Sequence, residues 1–111
     1  MIIESPYAGD VERHVRYARA CLADSLARGE APMASHLLYT QPGVLDDGDP
    51  TQRARGIAAG LAWGRCASAT IVYADLGVSR GMHLGIEDAR RHGRPIVWRW
   101  LGAPWSSGAP R

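Results

Sequence analysis

The sequence predicts a small α/β fold, a doubly wound parallel sheet of four to five strands with helices on both faces. Two observations carry this prediction. Short apolar runs alternate with segments of helical spacing along the 111 residues, which is typical of βαβ units. The run 69–73 is apolar on both faces, as a buried parallel strand is. A hydrophobic content of 46% with 22% charged residues places the chain among globular domains.

The first half of the chain contains two predicted strands and one long helix. Ile2 to Glu4 is a short β-branched run, and the turn from Ser5 to Gly9 ends it. Asp10 is a candidate N-cap for a helix with apolar residues at helical spacing, and Gly29 stands where a helix-ending glycine belongs. Residues 32–38 are interpreted as a second strand, followed by a polar loop over 39–48.

The second half continues the alternation. Asp49 and Pro50 form a helix start, with a helix predicted to about residue 65. A third strand follows over 69–73, and Ser79 is a candidate cap for a third helix that ends at Gly93. Residues 95–100 supply the fourth strand. We therefore expect one domain over residues 1–101 and a loose tail over residues 102–111, which is rich in Gly, Ser and Pro.

Composition excludes several classes of partner. The net charge of +2 comes with no basic stripe, so we expect no nucleic acid partner. No apolar run reaches the roughly 18 residues that a membrane span requires. Cys21 and Cys66 form no ligand pattern, and we expect no metal and no cofactor. The expected location is the cytoplasm.

The predicted topology places a binding site at the carboxyl ends of the strands. The turn at residues 5–10 and the turn at residues 75–81 meet there, and both are rich in small residues. The second turn opens a helix whose free N–H groups favour an anion, so Ser79, Arg80 and Gly81 are candidates for holding a phosphate or carboxylate. The alternative is that Ser79 only caps the helix and Gly81 only permits close packing.

Four motifs in this order resemble the nucleoside 2-deoxyribosyltransferase-like superfamily, in particular its small bacterial and phage-type members of unassigned function. The resemblance extends from about Ile2 to Trp100. The motifs are Ser5-Pro6-Tyr7-Ala8-Gly9-Asp10, His36-Leu37-Leu38-Tyr39-Thr40-Gln41, Ser79-x-Gly81-Met82 and Ala89-x-x-x-Gly93-x-Pro95.

The resemblance implies a flavodoxin-like sheet and chemistry at the N-glycosidic bond of a nucleoside or nucleoside 5′-monophosphate. The sugar would pass to water or to another base through a glutamate nucleophile. Tyr7 and Tyr39 are candidates for stacking on a base, with core or rim packing as the alternative. The substrate-binding candidates are Ser5, Tyr7, Gly9, His36, Tyr39, Ser79, Arg80, Gly81 and Met82.

The chain departs from the family pattern at the nucleophile. The family's glutamate corresponds to position 85, which is Gly85. Glu87 is one catalytic candidate, although two residues of helix rotate it by about 200° from that position. Asp75, after the third strand, is the other candidate, with bonding of loop amides or capping of a turn as its alternative role. Two functions stay open: an N-glycosidase or deoxyribosyltransferase, and a nucleotide-binding module that lost catalysis.

The predicted second helix carries a glycine at every fourth position. Gly56, Gly60 and Gly64 cost about 1 kcal/mol each relative to alanine, so close packing has to compensate for them. We interpret this pattern as a homo-oligomer interface, to which Trp98, Trp100 and Trp105 are further candidates to contribute. Arg53 and Arg55 of the same helix are interpreted as a solvated face.

Overall fold

The computed structural model describes residues 1–105, which form a three-stranded parallel sheet and four helices. The mixed α/β prediction with a parallel sheet is confirmed, whereas the described residues form three strands instead of four to five. The sheet order is β1-β2-β3. The elements are β1 (Ile2–Glu4), α1 (Val11–Ala27), α2 (Ser35–Leu38), α3 (Pro50–Gly64), β2 (Thr70–Tyr73), α4 (Arg80–Arg91) and β3 (Ile96–Arg99).

The strand predicted over residues 32–38 is wrong. Only Met33 pairs with the sheet, as an isolated parallel bridge to Ile2, and its carbonyl accepts from the Ile3 N–H at 2.9 Å. From Ser35 onward the chain forms the short helix α2, which packs against α3. Ser35 contacts the backbone at Gly60, where a Cβ would lie 2.5 Å from the Ser35 Oγ. Tertiary packing on α3 therefore decides the conformation of this apolar run.

The two faces of the sheet carry separate apolar clusters. On one face, Ile3, Ile71 and Tyr73 pack with Tyr17 and Cys21 of α1. On the other face, Val72 packs with Met82 and Ile86 of α4. Successive side chains of a strand point to opposite faces, and the register pairs Glu4 with Val72. Glu4 therefore faces α4, and helices cover both sides of the sheet.

The helix ends follow their local sequence signals. Asp10 and Asp49 cap α1 and α3 by accepting backbone N–H groups in the first turn. The Ser79 hydroxyl accepts from the Met82 N–H at 3.3 Å and caps α4. Gly29 has a φ of +82°, the left-handed conformation that favours glycine, directly after α1. The predicted N-caps of α1, α3 and α4 and the predicted helix-ending glycine after α1 are therefore confirmed.

The three glycines of α3 all face other parts of the same chain. A Cβ on Gly56 would lie 3.1 Å from the Leu45 side chain, and one on Gly64 would lie 2.9 Å from the Arg94 guanidinium. Gly60 faces Ser35 in the same way. Close packing inside the protomer accounts for the glycine repeat, so the repeat no longer requires a second copy.

The segment after β3 continues over the α1 face. Trp105 packs edge-on against Tyr17, with ring centroids 5.2 Å apart and an interplanar angle of 64°. The predicted loose tail therefore includes one residue in contact with the core, and its part from 106 to 111 lies outside the described residues. Within residues 1–105, no helix has the length and apolar character needed to cross a membrane.

Candidate functional site

A cavity of about 170 Å³ opens beside β1, between α4, α2 and α3. It lies at the sheet edge where the predicted topology puts ligands, beyond the carboxyl end of β1. Its lining includes eight of the nine predicted substrate-binding residues. These are Ser5, Tyr7, His36, Tyr39, Ser79, Arg80, Gly81 and Met82.

The ninth candidate, Gly9, is outside the lining of the cavity. It lies in the turn before α1 with a φ of +94°. A Cβ there would lie 3.7 Å from the His14 ring, and the His14 Nδ1 is 3.0 Å from the Tyr7 carbonyl oxygen. Gly9 therefore shapes the turn that carries Tyr7.

One end of the cavity is formed by the start of α4 and by an arginine from α3. Arg53 lines this end, and its Nη2 lies 4.0 Å from the position that a Cβ on Gly81 would take. The same guanidinium donates to Asp47 through Nη1 at 2.7 Å. The sequence pattern predicts a solvated face for Arg53, whereas the structure places this residue in the lining of the cavity. The N–H groups at the start of α4 favour an anion, and Arg53 presents Nη2 toward them while its Nη1 holds Asp47.

A hydroxyl and an imidazole form a polar pair on the wall of the cavity. The Ser5 Oγ and the His36 Nε2 are 2.7 Å apart. Burial lowers the pKa of His36 to about 4, so the ring is neutral at neutral pH. Among residues 1–105, no carboxylate hydrogen-bonds the other ring nitrogen, which a nucleophilic triad would require. The pair therefore offers uncharged hydrogen-bonding groups to a ligand.

A further part of the cavity wall combines aromatic and aliphatic surface. Tyr7 and Tyr39 both line the cavity, and the Tyr39 hydroxyl accepts from the Trp63 Nε1 at 2.8 Å. Ile57 and Leu61 of α3 add apolar surface to the lining. Such a wall suits a flat, partly apolar group, because aromatic side chains stack on planar rings.

Glu4, the last residue of β1, reaches into the cavity and was not a candidate from the sequence. Its carboxyl group occupies the space beside Gly85, where a Cβ would overlap the Glu4 Oε2. Burial raises the pKa of Glu4 to about 8, although Arg94 acts to lower it. No described residue hydrogen-bonds this carboxyl. The available signal was a charged residue in a short buried strand, directly before the turn that lines the site.

A buried ion pair also lines the cavity. Arg94 donates through Nη2 to the Asp88 Oδ2 at 3.0 Å, through Nε to the Thr70 Oγ1 at 2.9 Å and through Nη1 to the Gly64 carbonyl at 2.9 Å. These three bonds engage all three guanidinium nitrogens with other residues of the protein. Arg94 therefore lies near Glu4 without neutralising its carboxyl through a direct bond.

The two catalytic candidates from the sequence are not in the cavity. Glu87 is exposed on α4 and accepts from the Arg90 Nη1 at 2.8 Å. Asp75 accepts from the Tyr17 hydroxyl at 2.7 Å and from the backbone N–H groups of Leu101 and Gly102 at 2.8 and 2.9 Å. The bonds to the two backbone amides are the alternative role of Asp75, and the bond to Tyr17 joins it to α1 as well.

Comparisons with known proteins give one finding. A family model matches residues 1–99, and its description is domain of unknown function (DUF7768). Neither the curated proteins nor the solved structures contain a match to this chain.

In the part of the chain that the structure describes, no three His, Cys, Asp or Glu side chains are grouped to hold a metal ion.

Proposed function

The chain belongs to the DUF7768 family, whose function is unknown, and we propose that its cavity binds a nucleoside or nucleoside 5′-monophosphate and cleaves or transfers at the N-glycosidic bond. One observation carries the proposal: a single cavity combines an anion-favouring end, an uncharged polar pair and an aromatic wall. These match the phosphate, sugar and base of a nucleotide. The motif resemblance to nucleoside 2-deoxyribosyltransferase-like proteins adds support, and the parallel sheet is compatible with a flavodoxin-like fold.

In this proposal the ligand extends across the cavity. The phosphate lies at the first turn of α4, where Ser79, Arg80 and Gly81 meet Arg53. The sugar hydroxyls contact the Ser5 and His36 pair, and the base stacks against Tyr7 and Tyr39.

Arg53→Ala is expected to weaken the binding of nucleoside 5′-monophosphates by about 10- to 100-fold, the usual effect of losing one charge-assisted hydrogen bond. The binding of the matching nucleosides should stay within about threefold, because they lack the phosphate. Calorimetry with a panel of ribo- and deoxyribonucleosides and their monophosphates measures both. Arg55→Ala is the matched control, since Arg55 is exposed on the same helix and outside the cavity. An equal loss for nucleosides and monophosphates would contradict the proposed phosphate position.

The second candidate function is a nucleotide-binding module without catalysis. Gly85 favours this function. It stands at the position of the glutamate nucleophile of the nucleoside 2-deoxyribosyltransferase-like superfamily, so no carboxylate can come from that position. Chromatography of free base after incubation with the same panel separates the two functions. Base release supports an N-glycosidase or transferase, and binding without release supports the module.

We propose further that the protein is a homo-oligomer and that its contact includes β3. This strand is one of the two edges of the sheet, and Val97 and Trp98 on it are 38% and 43% exposed. An exposed apolar edge strand favours pairing with another chain. Size-exclusion chromatography with light scattering should give the mass of a dimer or larger, and Trp98→Asp should shift it toward the monomer. A monomeric mass for the unmodified protein at about 100 μM would contradict this part of the proposal.

A further inference from the structure

We propose that Glu4 is the catalytic residue of the cavity and acts as general acid and then general base in hydrolysis of the N-glycosidic bond. This inference rests on the proposed function and names the residue that performs it. Among the carboxyl groups of the described residues, Glu4 is the one that lines the cavity and makes no salt bridge or hydrogen bond. Asp47 and Asp88, which also line the cavity, are both paired with arginines.

The backbone fixes the position of this carboxyl. Glu4 ends β1 and pairs in register with Val72, so its side chain points toward α4 instead of α1. Gly85 gives it room, because any side chain at that position would overlap the carboxylate oxygens. Glu4 precedes Ser5 in the chain, and the Ser5 hydroxyl belongs to the polar pair that faces the ligand. A group on a strand end is held more rigidly than one on a loop.

The charged and titratable surroundings of Glu4 come from several elements. Asp88 on α4 raises its pKa, and Arg94 before β3 lowers it, each less strongly than burial does. The other such groups that line the cavity are Tyr7 after β1, His36 on α2, Tyr39 at the end of α2, Asp47 before α3, Arg53 on α3 and Arg80 at the start of α4. With a pKa of about 8, Glu4 keeps its proton at neutral pH and is a suitable general acid.

The reaction needs only the nucleoside, water and one carboxyl group. As the bond between C1′ and the base nitrogen breaks, its electron pair stays on the base, and Glu4 donates its proton to the base. The C1′ cation takes the oxygen of a water molecule, and the Glu4 carboxylate removes a proton from that water. The products are free base and free sugar or sugar phosphate, and Glu4 is again protonated.

Glu4→Gln is expected to lower base release by at least about 100-fold, the usual contribution of a general acid. Glutamine has the shape of the neutral carboxyl, so the affinity for the ligand should stay within about threefold. Glu87→Gln is the matched control and should keep full activity, because Glu87 is exposed and outside the cavity. Full activity in Glu4→Gln would overturn the inference. Binding by the unmodified protein without any base release would overturn it too, while leaving a binding function in place.

A second pair of variants tests the inference without relying on the correct folding of Glu4→Gln alone. Glu4→Gly removes the carboxyl, and Glu4→Gly with Gly85→Glu returns one to the same space from α4. The double variant should release base at least about tenfold faster than Glu4→Gly, and equal rates would count against Glu4 as the reacting group. Base release by the unmodified protein should be constant from pH 6 to 7 and fall above pH 8. A rate that rises through pH 8 would overturn the general-acid role.

Discussion

Replacing Arg94 by methionine is expected to lower the free energy of unfolding by about 3–5 kcal/mol, the usual cost of removing one partner of a buried ion pair. Arg94 is only 8% exposed. Its loss leaves the buried Asp88 carboxylate without its arginine, and it also leaves the Thr70 hydroxyl and the Gly64 carbonyl without their donor. An unpaired charge in the protein interior is far more costly than the pair that it came from.

Urea unfolding at pH 7 measures this effect. Arg90→Met is the matched control, because Arg90 forms an exposed i,i+3 pair with Glu87, and its loss should change stability by less than about 0.5 kcal/mol. Removing both charges with Asp88→Leu and Arg94→Met should be less destabilising than Arg94→Met alone, since no unpaired charge remains. A loss below about 1 kcal/mol in Arg94→Met would show that Asp88 finds another partner, of which His92 at 3.3 Å is the nearest candidate.

The second large effect concerns the pH dependence of stability. In the folded protein the pKa of Glu4 is raised from 4.5 to about 8, so the folded state holds this proton more tightly than the unfolded chain. The stabilisation of the folded state by this proton is fully present below pH 4.5 and is lost as the pH rises through 8. By linkage, the loss between pH 4.5 and pH 9 amounts to about 4 kcal/mol.

Glu4→Gln removes this dependence, since the amide does not titrate. The stability of the variant relative to the unmodified protein should therefore increase by about 4 kcal/mol between pH 4.5 and pH 9. Urea unfolding at several pH values measures the difference, in which the other groups cancel. Among them is His36, whose lowered pKa removes stability as the pH falls from 6.5 to about 4. Parallel stability curves for the two proteins would contradict a buried, protonated Glu4.

The helices could be predicted from the sequence because their signals are local. The caps at Asp10, Asp49 and Ser79 act within one turn of their own helices, so their neighbours in sequence suffice to identify them. The strand over 32–38 could not be separated from a helix in this way. A short apolar run suits both conformations, and the contact of Ser35 with Gly60 that favours α2 joins distant parts of the chain.

The residues of the candidate site show the same difference between signals that the sequence reveals and contacts between distant parts of the chain. The cavity residues that follow strand ends, such as Ser5 and Ser79, were predictable, because parallel topology alone brings those turns together. Glu4 was not, because its place in the cavity depends on the space beside Gly85, which is distant in the sequence. Asp75 shows the converse: it follows a strand end as a ligand-binding residue does, but its carboxylate binds Tyr17 and two backbone amides.

The overlap between Glu4 and any side chain at position 85 makes these two positions alternatives for one carboxyl group. The Glu4 carboxyl is the far end of a flexible side chain, so a side chain at position 85 would displace it from this space. A side chain at position 85 and the Glu4 carboxyl in its present place therefore exclude each other. An exchange of the carboxyl between strand and helix accordingly takes two substitutions, one on β1 and one on α4.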